Sequence, residues 1–232
     1  MQMFYESGLY FSKALEIWEK LAKKDPEKYE PNIARAHMGL GRAYIYMRIF
    51  DRAEFHYMKA LKLWKKLSKK NPAGYESGLA GIHEYFGLMY DTLEMLDKAE
   101  IHYREALSIL KKLIMREPES FSPNIASTYM NLANIYNKMR KFNEAERYYR
   151  EALVILEKLH KVNRELHVES LVGLLSNMIR LFVDNNQLPK AEVFVLMLEE
   201  LVGEIKRYSP ALVFGFYSLG LFYEHNRMLR TA

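Results

Sequence analysis

The sequence predicts an all-α protein built from successive copies of one helix pair. A 46-residue period runs through the 232 residues, and apolar side chains recur at spacings of three and four, as on one face of a helix. Strand-like alternation appears nowhere at useful length. The 11 glycines and 7 prolines are fewer than an average chain carries, which disfavours turn-rich β architectures. About ten antiparallel helices are expected.

The 46-residue period appears in several independent series of residues. An Ala-Glu pair recurs four times from Ala53-Glu54 onward, and the two tryptophans, Trp18 and Trp64, have the same separation. An aromatic series and an Ala-Leu series keep this phase, namely Phe11, Tyr57, Tyr103 and Tyr149, and Ala14-Leu15, Ala60-Leu61, Ala106-Leu107 and Ala152-Leu153. So many coincidences in one register indicate a repeated structural unit.

Each copy is expected to contain two helices. The first is expected over residues such as 122–139, and the second over residues such as 97–116, where apolar side chains form one stripe. Capping boxes are expected to begin the second helices, at Asp51-x-x-Glu54, Asp97-x-x-Glu100 and Asn143-x-x-Glu146. The apolar residue before each of the first two boxes is expected to staple onto the helix, Phe50 onto Phe55 and Leu96 onto Ile101. A Lys/Arg cluster followed by proline is expected to end the second helix.

Aligned on this phase, the chain forms one array of six segments. They are an unpaired second helix over 1–28, repeats over 29–74, 75–120 and 121–166, a degenerate repeat over 167–208, and the first helix of an incomplete repeat over 209–232. Two interpretations of the ends remain open. The sequence is a segment of a longer repeat protein, or the terminal helices of two copies pair, head-to-tail or about a two-fold axis.

The copies resemble the tetratricopeptide repeat (TPR), whose signature combines W-x2-L-G-x2-Y, A-x3-F and P. In the first copy, Leu40-Gly41-x-x-Tyr44 is followed by Ala53-x3-Tyr57-x2-Ala60. The next two copies read Phe86-Gly87-x-x-Tyr90 with Ala99-x3-Tyr103-x2-Ala106, and Leu132-Ala133-x-x-Tyr136 with Ala145-x3-Tyr149-x2-Ala152. The fourth copy departs from the pattern at Ile179 and Leu198.

The resemblance covers nearly the whole chain. The repeats of this chain have a period of 46 residues, whereas a TPR usually has 34 residues. The longer period is similar to that of kinesin-light-chain-type repeats. The resemblance implies an all-α, right-handed superhelical solenoid that serves as a protein–protein interaction scaffold. Small residues are expected to let paired helices approach, while aromatic residues fill the gap to the next repeat.

The resemblance also implies that the first helices line a concave groove that binds a peptide or helix of a partner. The side chains expected to face it are Arg35, Met38, Arg42, Tyr46, Glu84, Tyr85, Asp91, Asn131, Asn134, Asn137, Lys138, Asn177 and Arg180. Asn131 and Asn177 are in phase, and an amide can both donate to and accept from an extended backbone. The family's clamp for a C-terminal carboxylate is not matched, because Tyr85 and Ser127 occupy two of its positions.

Catalytic and metal-binding chemistry is not predicted. His37 and His56 recur as His83 and His102, but tyrosines replace both in the third copy, which favours a packing role over a ligand role. Phosphate-binding, dinucleotide-binding and serine-hydrolase motifs are missing from the sequence. We therefore expect no enzyme activity, no catalytic residues, no metal and no cofactor.

Lysines form a second periodic feature, which we call the lysine ridge. Lys20, Lys66, Lys112 and Lys158 recur once per copy, with Lys65, Lys69, Lys70, Lys111 and Arg116 beside them. The ridge could follow the phosphates of a nucleic acid. The favoured interpretation is that cations near helix C-termini stabilise the helices and keep the surface soluble.

Composition and termini suggest a cytoplasmic protein. Cysteine is absent, which excludes disulfides, thiolate catalysis and cysteine-based zinc sites and fits a reducing compartment. The net charge of +5 and the pI of about 9.1 permit an acidic partner without requiring one. Charged residues interrupt the N-terminal region where a leader would lie. The most apolar uncharged run, Tyr208–Tyr223, is shorter than the roughly 20 residues of a membrane span.

Overall fold

A computed structural model describes residues 2–205 and 209–230, which form ten helices and no strand. The helices are α1 (Gln2–Ala22), α2 (Pro26–Tyr46), α3 (Phe50–Lys70), α4 (Pro72–Thr92), α5 (Leu96–Ile114), α6 (Pro118–Lys138), α7 (Phe142–Val162), α8 (Arg164–Asp184), α9 (Leu188–Glu204) and α10 (Pro210–Arg230). The all-α class predicted from the sequence is confirmed. Residues 1, 206–208 and 231–232, which belong to the predicted segments 1–28, 167–208 and 209–232, lie outside the described residues.

The helices form two compact units, Met1–Pro118 and Glu119–Ala232. In the first unit α1 packs on α2, α2 on α3, α3 on α4 and α4 on α5. In the second unit α8 packs on both α7 and α9, and α10 packs on α8 and α9. By phase, α2, α4, α6 and α8 are the first helices of their copies, and α3, α5, α7 and α9 are the second helices.

Capping boxes do not begin the second helices, which corrects the prediction. Helices α3, α5 and α7 begin at Phe50, Leu96 and Phe142, the residues expected to precede the boxes, and their N-caps make no side-chain hydrogen bond. The boxes' first residues therefore lie inside the first turn, where acidic side chains interact favourably with the helix dipole. The expected staples fail for the same reason, and Phe55 and Ile101 are 56% and 59% exposed.

A tight turn in the left-handed region sets these helix starts instead. Arg48, Glu94, Arg140 and Asn186 recur at intervals of 46 residues and have φ of 60°, 56°, 59° and 55°. In the first turn, the Arg48 N–H donates to the Ile45 carbonyl at 2.9 Å, and the Ile49 N–H donates to the Tyr44 carbonyl at 2.9 Å. These bonds form a Schellman-type ending, which usually contains glycine. Since none of the four residues is glycine, this turn could not be predicted from the sequence.

Side-chain caps occur on first helices. The side chains of Asp25, Asn71 and Asn163 accept hydrogen bonds from the backbone N–H groups of Lys28, Gly74 and Leu166 at 3.2, 3.1 and 3.1 Å. Pro26 and Pro72 follow two of these caps as the first helical residue, where a missing N–H has no consequence. The prolines predicted to end second helices therefore also begin first helices.

Close contacts between helices follow the repeat. A methyl group at Gly41 would lie 2.2 Å from Tyr57 Cε1, and one at Gly87 would lie 2.6 Å from Tyr103 Cε1. Tyr57 also contacts the next first helix, with its ring centroid 5.5 Å from that of Phe86. The predicted roles of the small and aromatic residues are confirmed. In the fourth copy, the fully buried Ile179 and Val195 occupy the phases of this glycine and tyrosine.

Among the described helices, α8 is long and apolar enough to cross a membrane, judged by length and composition alone. Sixty-one per cent of its apolar window is buried within the fold. Leu174, Leu175 and Met178 are among the residues with no exposed surface. A mostly buried helix of this kind passes the same test when it forms part of a protein core, so this finding is weak evidence for a membrane span.

Candidate peptide-binding site

The predicted binding residues lie on the first helices of the copies, and the surface that they form within each unit is called the groove face. In the first unit, Arg35, Arg42 and Tyr46 are exposed, and Met38, Glu84, Tyr85 and Asp91 are half-buried. In the second unit, Lys138 and Arg180 are exposed, and Asn131, Asn134, Asn137 and Asn177 are half-buried. Every predicted site residue thus retains some accessible surface.

Trp64 of α3 supports the start of the groove face on α2. Its indole Nε1–H donates to Met38 Sδ at 3.0 Å, and the Arg35 guanidinium lies over its ring, 5.9 Å from the centroid. Arg35 Nη1 also donates to Asn32 Oδ1 at 3.4 Å. These contacts hold Met38 and Arg35 against the second helix of the same copy. Both side chains are therefore positioned before any partner binds.

Tyr57 lies beneath the groove face between α2 and α4. Its ring is buried and stacks on Tyr85 with centroids 5.8 Å apart. Burial raises the pKa of Tyr57, while the positive charge of nearby Arg42 opposes the shift. At the end of α2, Tyr46 stacks on Phe4 of α1 with centroids 4.3 Å apart. Arg42 and Tyr85 therefore approach the same buried tyrosine from neighbouring first helices.

Tyr103 takes the corresponding place beneath α4. Its ring is buried, and burial is the main cause of its raised pKa. The negative charges of Asp91 and Glu84 add to this shift. Two carboxylates of α4 therefore lie close to the buried hydroxyl of Tyr103, which belongs to α5. Leu88, also on α4 and 46% exposed, occupies the phase of Arg42 and was missed by the sequence analysis.

Tyr149 is the third member of the series and lies in the second unit. Its hydroxyl donates a short hydrogen bond to Asn134 Oδ1. Burial raises the Tyr149 pKa, against the positive charge of Arg180. Because Tyr149 occupies the Asn134 amide oxygen, the amide N–H groups remain available as donors. Asn134 and Arg180 together offer donors to a carbonyl or carboxylate oxygen.

The three tyrosine hydroxyls lie next to groove-face residues, although the sequence predicted only a packing role for these tyrosines. Tyr57, Tyr103 and Tyr149 are each 1% exposed, yet each interacts electrostatically or by a hydrogen bond with groove-face residues. The 46-residue series had identified the residues but not the direction of their hydroxyls. Each ring therefore connects the core of a copy to its groove face.

Two histidine pairs join first and second helices in the first unit. His37 Nδ1 lies 2.9 Å from His56 Nδ1, and His83 Nδ1 lies 3.1 Å from His102 Nδ1. Each contact requires one nitrogen to donate and the other to accept. Burial is the main cause that lowers the pKa of His37, His83 and His102 to about 4. The second cause is the partner histidine for His37 and His102, and Lys65 for His83. The pairs are therefore neutral at pH 7.

The third copy replaces these histidines with Tyr129 and Tyr148, whose ring centroids are 5.9 Å apart. His37 and His83 are each 7% exposed. Such burial and mutual contact fit the packing role that the sequence favoured. No group of three or more histidine, aspartate or glutamate side chains that could hold a metal occurs in the described part of the chain.

Several residues of the lysine ridge form ion pairs with first helices. Lys66 Nζ lies 2.5 Å from Glu30 Oε1, and Lys70 Nζ lies 2.7 Å from Glu27 Oε1. Arg116 Nη1 lies 3.2 Å from Glu76 Oε2. Phosphates would have to compete with these carboxylates for the same cations. This geometry favours the interpretation of the ridge as a stabilising surface.

Comparison with known proteins supports the repeat assignment. Two sequence models described as "Tetratricopeptide repeat" match residues 34–63 and 125–163, which lie in the first and third copies. The chain is a tetratricopeptide repeat protein. No match to the TPR chain was found among the curated proteins.

Solved structures share the TPR fold. BtubC (BKLC) from P. vanneervenii is 23% identical with a TM-score of 0.75, over 96% of this chain and 84% of that one. The apo form of RapI is 20% identical with a TM-score of 0.59, over 100% and 80%. A putative kinesin light chain with nearly identical TPR-like repeats, from Podosopora anserina, is 17% identical with a TM-score of 0.57, over 87% and 90%. TPR membership makes protein–protein interaction the class of function that this fold supports.

Proposed function

We propose that this TPR protein is a non-catalytic, cytoplasmic scaffold that binds an extended segment of a partner protein on its groove face. The observation that carries the proposal is the row of half-buried amides in the second unit. Asn131 and Asn177 are in phase on α6 and α8, and neither makes a side-chain hydrogen bond within the described residues. Asn134 is oriented by Tyr149, as described above.

Amides placed in this way suit the backbone of a peptide. An asparagine side chain carries one acceptor and one donor group, which matches the alternating C=O and N–H of an extended chain. Binding through the backbone gives affinity that depends little on the partner's sequence. Neighbouring Arg180 would then add preference for an acidic side chain.

Selection from a displayed library of random peptides on the full chain tests this proposal. Selected peptides should bind the double variant Asn131→Ala/Asn177→Ala at least fivefold more weakly, because one net hydrogen bond contributes about 1 kcal/mol. The matched control is Glu151→Ala/Arg147→Ala, which removes two exposed side chains from α7. Thermal unfolding should be nearly unchanged in both. Equal affinities for the two double variants would contradict the proposal.

A second candidate function is self-assembly, because both terminal helices expose large apolar side chains. On α1, Tyr5 and Tyr10 are each 68% exposed, and on α10, Val213 is 67% and Tyr217 60% exposed. Exposed apolar side chains that form one surface often mark a protein interaction site. Sedimentation should show association that increases with concentration and weakens in Tyr10→Glu. A monomer at every concentration would exclude this function.

A further inference from the structure

We infer that the exposed surface of α3 in one molecule of this chain binds the exposed surface of α9 in a second molecule. The two helices carry opposite charge. Helix α3 contains seven lysine or arginine residues and two acidic residues, whereas α9 contains one lysine and four glutamates. Each surface lies wholly within one compact unit. Because both are second helices, the contact is independent of peptide binding on the first helices.

Both helices expose two apolar side chains at matching positions of the repeat. Phe55 and Met58 of α3 are 56% and 55% exposed, and Val193 and Leu196 of α9 are 57% and 64% exposed. The pairs are separated by three 46-residue periods, so they occupy the same positions on equivalent helices. Residues three apart lie on one face of a helix. Each pair therefore forms a small apolar patch, of the kind that protein interfaces bury.

The remaining second helices have a polar residue at the second position of this patch. It is Arg104 in α5, Arg150 in α7 and Ser12 in α1. Arg104 Nε lies 2.8 Å from Glu100 Oε1, and Arg150 Nη2 lies 2.8 Å from Glu146 Oε1. Ion pairs within the helix thus occupy the position that is apolar in α3 and α9. The patch is therefore a particular feature of these two helices and not a property of every second helix.

Beyond its patch, α3 presents a row of lysines at helical spacing. The exposed lysines that form no ion pair within the described residues are Lys59, Lys62, Lys65 and Lys69. They differ in this from Lys66 and Lys70, which pair with glutamates of α2. Lys59 Nζ lies over the Phe55 ring, 5.4 Å from the centroid, so positive charge adjoins the apolar patch directly. This surface therefore favours a partner surface that is both apolar and acidic.

The surface of α9 has that complementary chemistry. Its exposed acidic residues beside the patch are Glu192, Glu199 and Glu200. The Glu199 carboxylate accepts a hydrogen bond of 2.7 Å from the Tyr223 hydroxyl, a neutral partner that leaves its charge in place. The one lysine of α9, Lys190, lies with its Nζ 2.9 Å from Glu146 Oε2 of α7. The glutamates beside the patch therefore keep a net negative charge that the α3 lysines can attract.

These charges favour a parallel arrangement of the two helices. Lys62 and Glu200 each lie seven residues after the first residue of their apolar pair, which is about 10 Å along the helix axis. Parallel helices with the patches in contact therefore place Lys62 opposite Glu200. An antiparallel arrangement places Lys62 near Lys190 instead. Repulsion between like charges also disfavours contacts of α3 with α3 or of α9 with α9.

Sedimentation of the full chain tests this contact. The natural chain should associate as its concentration increases and dissociate as salt is added, because salt screens exposed charges. Lys62→Glu and Glu200→Lys should each weaken association about fivefold or more, since each places like charges opposite one another. An equimolar mixture of the two variants should recover the association of the natural chain, because each supplies the unlike charge for the other. A mixture that associates no better than its components would overturn the inference.

Matched controls distinguish this contact from a general effect of charge. Lys112→Glu on α5 and Glu151→Lys on α7 reverse exposed charges outside the two surfaces and should leave association unchanged. Leu196→Ser should weaken association while thermal unfolding stays nearly unchanged, because the side chain is exposed. An equal loss of association in Lys112→Glu and Lys62→Glu would contradict the assigned surface, as would a natural chain that remains monomeric.

Two further variants separate the inference from the functions proposed above. Asn131→Ala/Asn177→Ala should associate like the natural chain, and Lys62→Glu should bind the selected peptides normally. Tyr10→Glu alters the terminal helix α1 and should leave recovery in the mixture intact when it is added to both components. Association that depends on Tyr10 but not on Lys62 and Glu200 would overturn the inference and favour the terminal helices. Lysines of α3 that bind a nucleic acid or an acidic protein without any self-association would overturn it as well.

Discussion

At the scale of single residues, the histidine pairs make the first unit sensitive to acid. The pKa of His37, His83 and His102 is about 4 in the folded chain, against an ordinary value of 6.5. Between these values the unfolded chain binds more protons than the folded chain. Stability is therefore complete above pH 6.5 and decreases as the pH falls toward 4.

We expect each pair to lose on the order of 1 kcal/mol of unfolding free energy between pH 7.5 and 5.5, after allowance for solvent screening. Chemical denaturation at the two pH values measures this loss. The variant His37→Tyr/His56→Tyr, which copies the tyrosines of the third copy, should lose less stability on acidification. An identical loss in the variant and the natural chain would show that this pair does not titrate as described.

Glycines at close contacts give a second prediction at this scale. Gly87→Ala places a methyl group 2.6 Å from the Tyr103 ring and should destabilise the chain by about 1–3 kcal/mol through overpacking. Gly173→Ala is the matched control, because no atom outside its own helix turn lies within 4 Å of the added methyl. It should stabilise α8 by about 0.5–1 kcal/mol. Urea unfolding measures both effects, and two changes of the same sign would refute the packing argument.

At the scale of helices, the left-handed turns between first and second helices offer a place to gain stability. Glu94 has a φ of 56°, a conformation that disfavours side chains with a Cβ by roughly 1–2 kcal/mol. Glu94→Gly should remove that strain and raise the unfolding free energy by about 0.5–1 kcal/mol. Thr92→Gly, two residues earlier in the last turn of α4, should lower it. Thermal unfolding of the two variants should therefore shift in opposite directions.

The helices also show what sequence patterns resolve and what they miss. The stripes of apolar residues predicted every second helix, because burial of Ala53, Tyr57 and Ala60 requires helical spacing. The predicted starts of the second helices were wrong. An Asp or Asn three positions before a Glu can lie inside the first turn of a helix as well as at its N-cap, and the pattern alone does not distinguish the two. The groove-face positions came from the family resemblance. The Tyr149–Asn134 bond depends on side-chain direction, which periodicity does not define.

At the scale of the whole molecule, each copy of a repeat protein contacts mainly its neighbours, so a substitution should destabilise the nearest copies most. Ala99 has no exposed surface, and Ala99→Leu should overpack the α4–α5 pair at a cost of about 1–3 kcal/mol. Hydrogen exchange should then accelerate in α4 and α5 before it changes in α8 and α9. Asn131→Ala, which affects only the groove face, should leave exchange unchanged. Uniform acceleration along the chain would indicate that the two compact units unfold together.

The junctions at Asn71 and Asn163 have a consequence for the length of each copy. A single asparagine closes one helix through its N–H, bonded at 2.9 Å to the Leu67 or Leu159 carbonyl, and opens the next through its side chain. No spare residue exists there to absorb an insertion. Between α5 and α6 the junction has three residues, but α5 is two residues shorter than α3, so the total is the same. The number of residues from the start of a second helix to the start of the next first helix therefore stays the same while the helix end varies. Tags or inserted loops are best placed elsewhere.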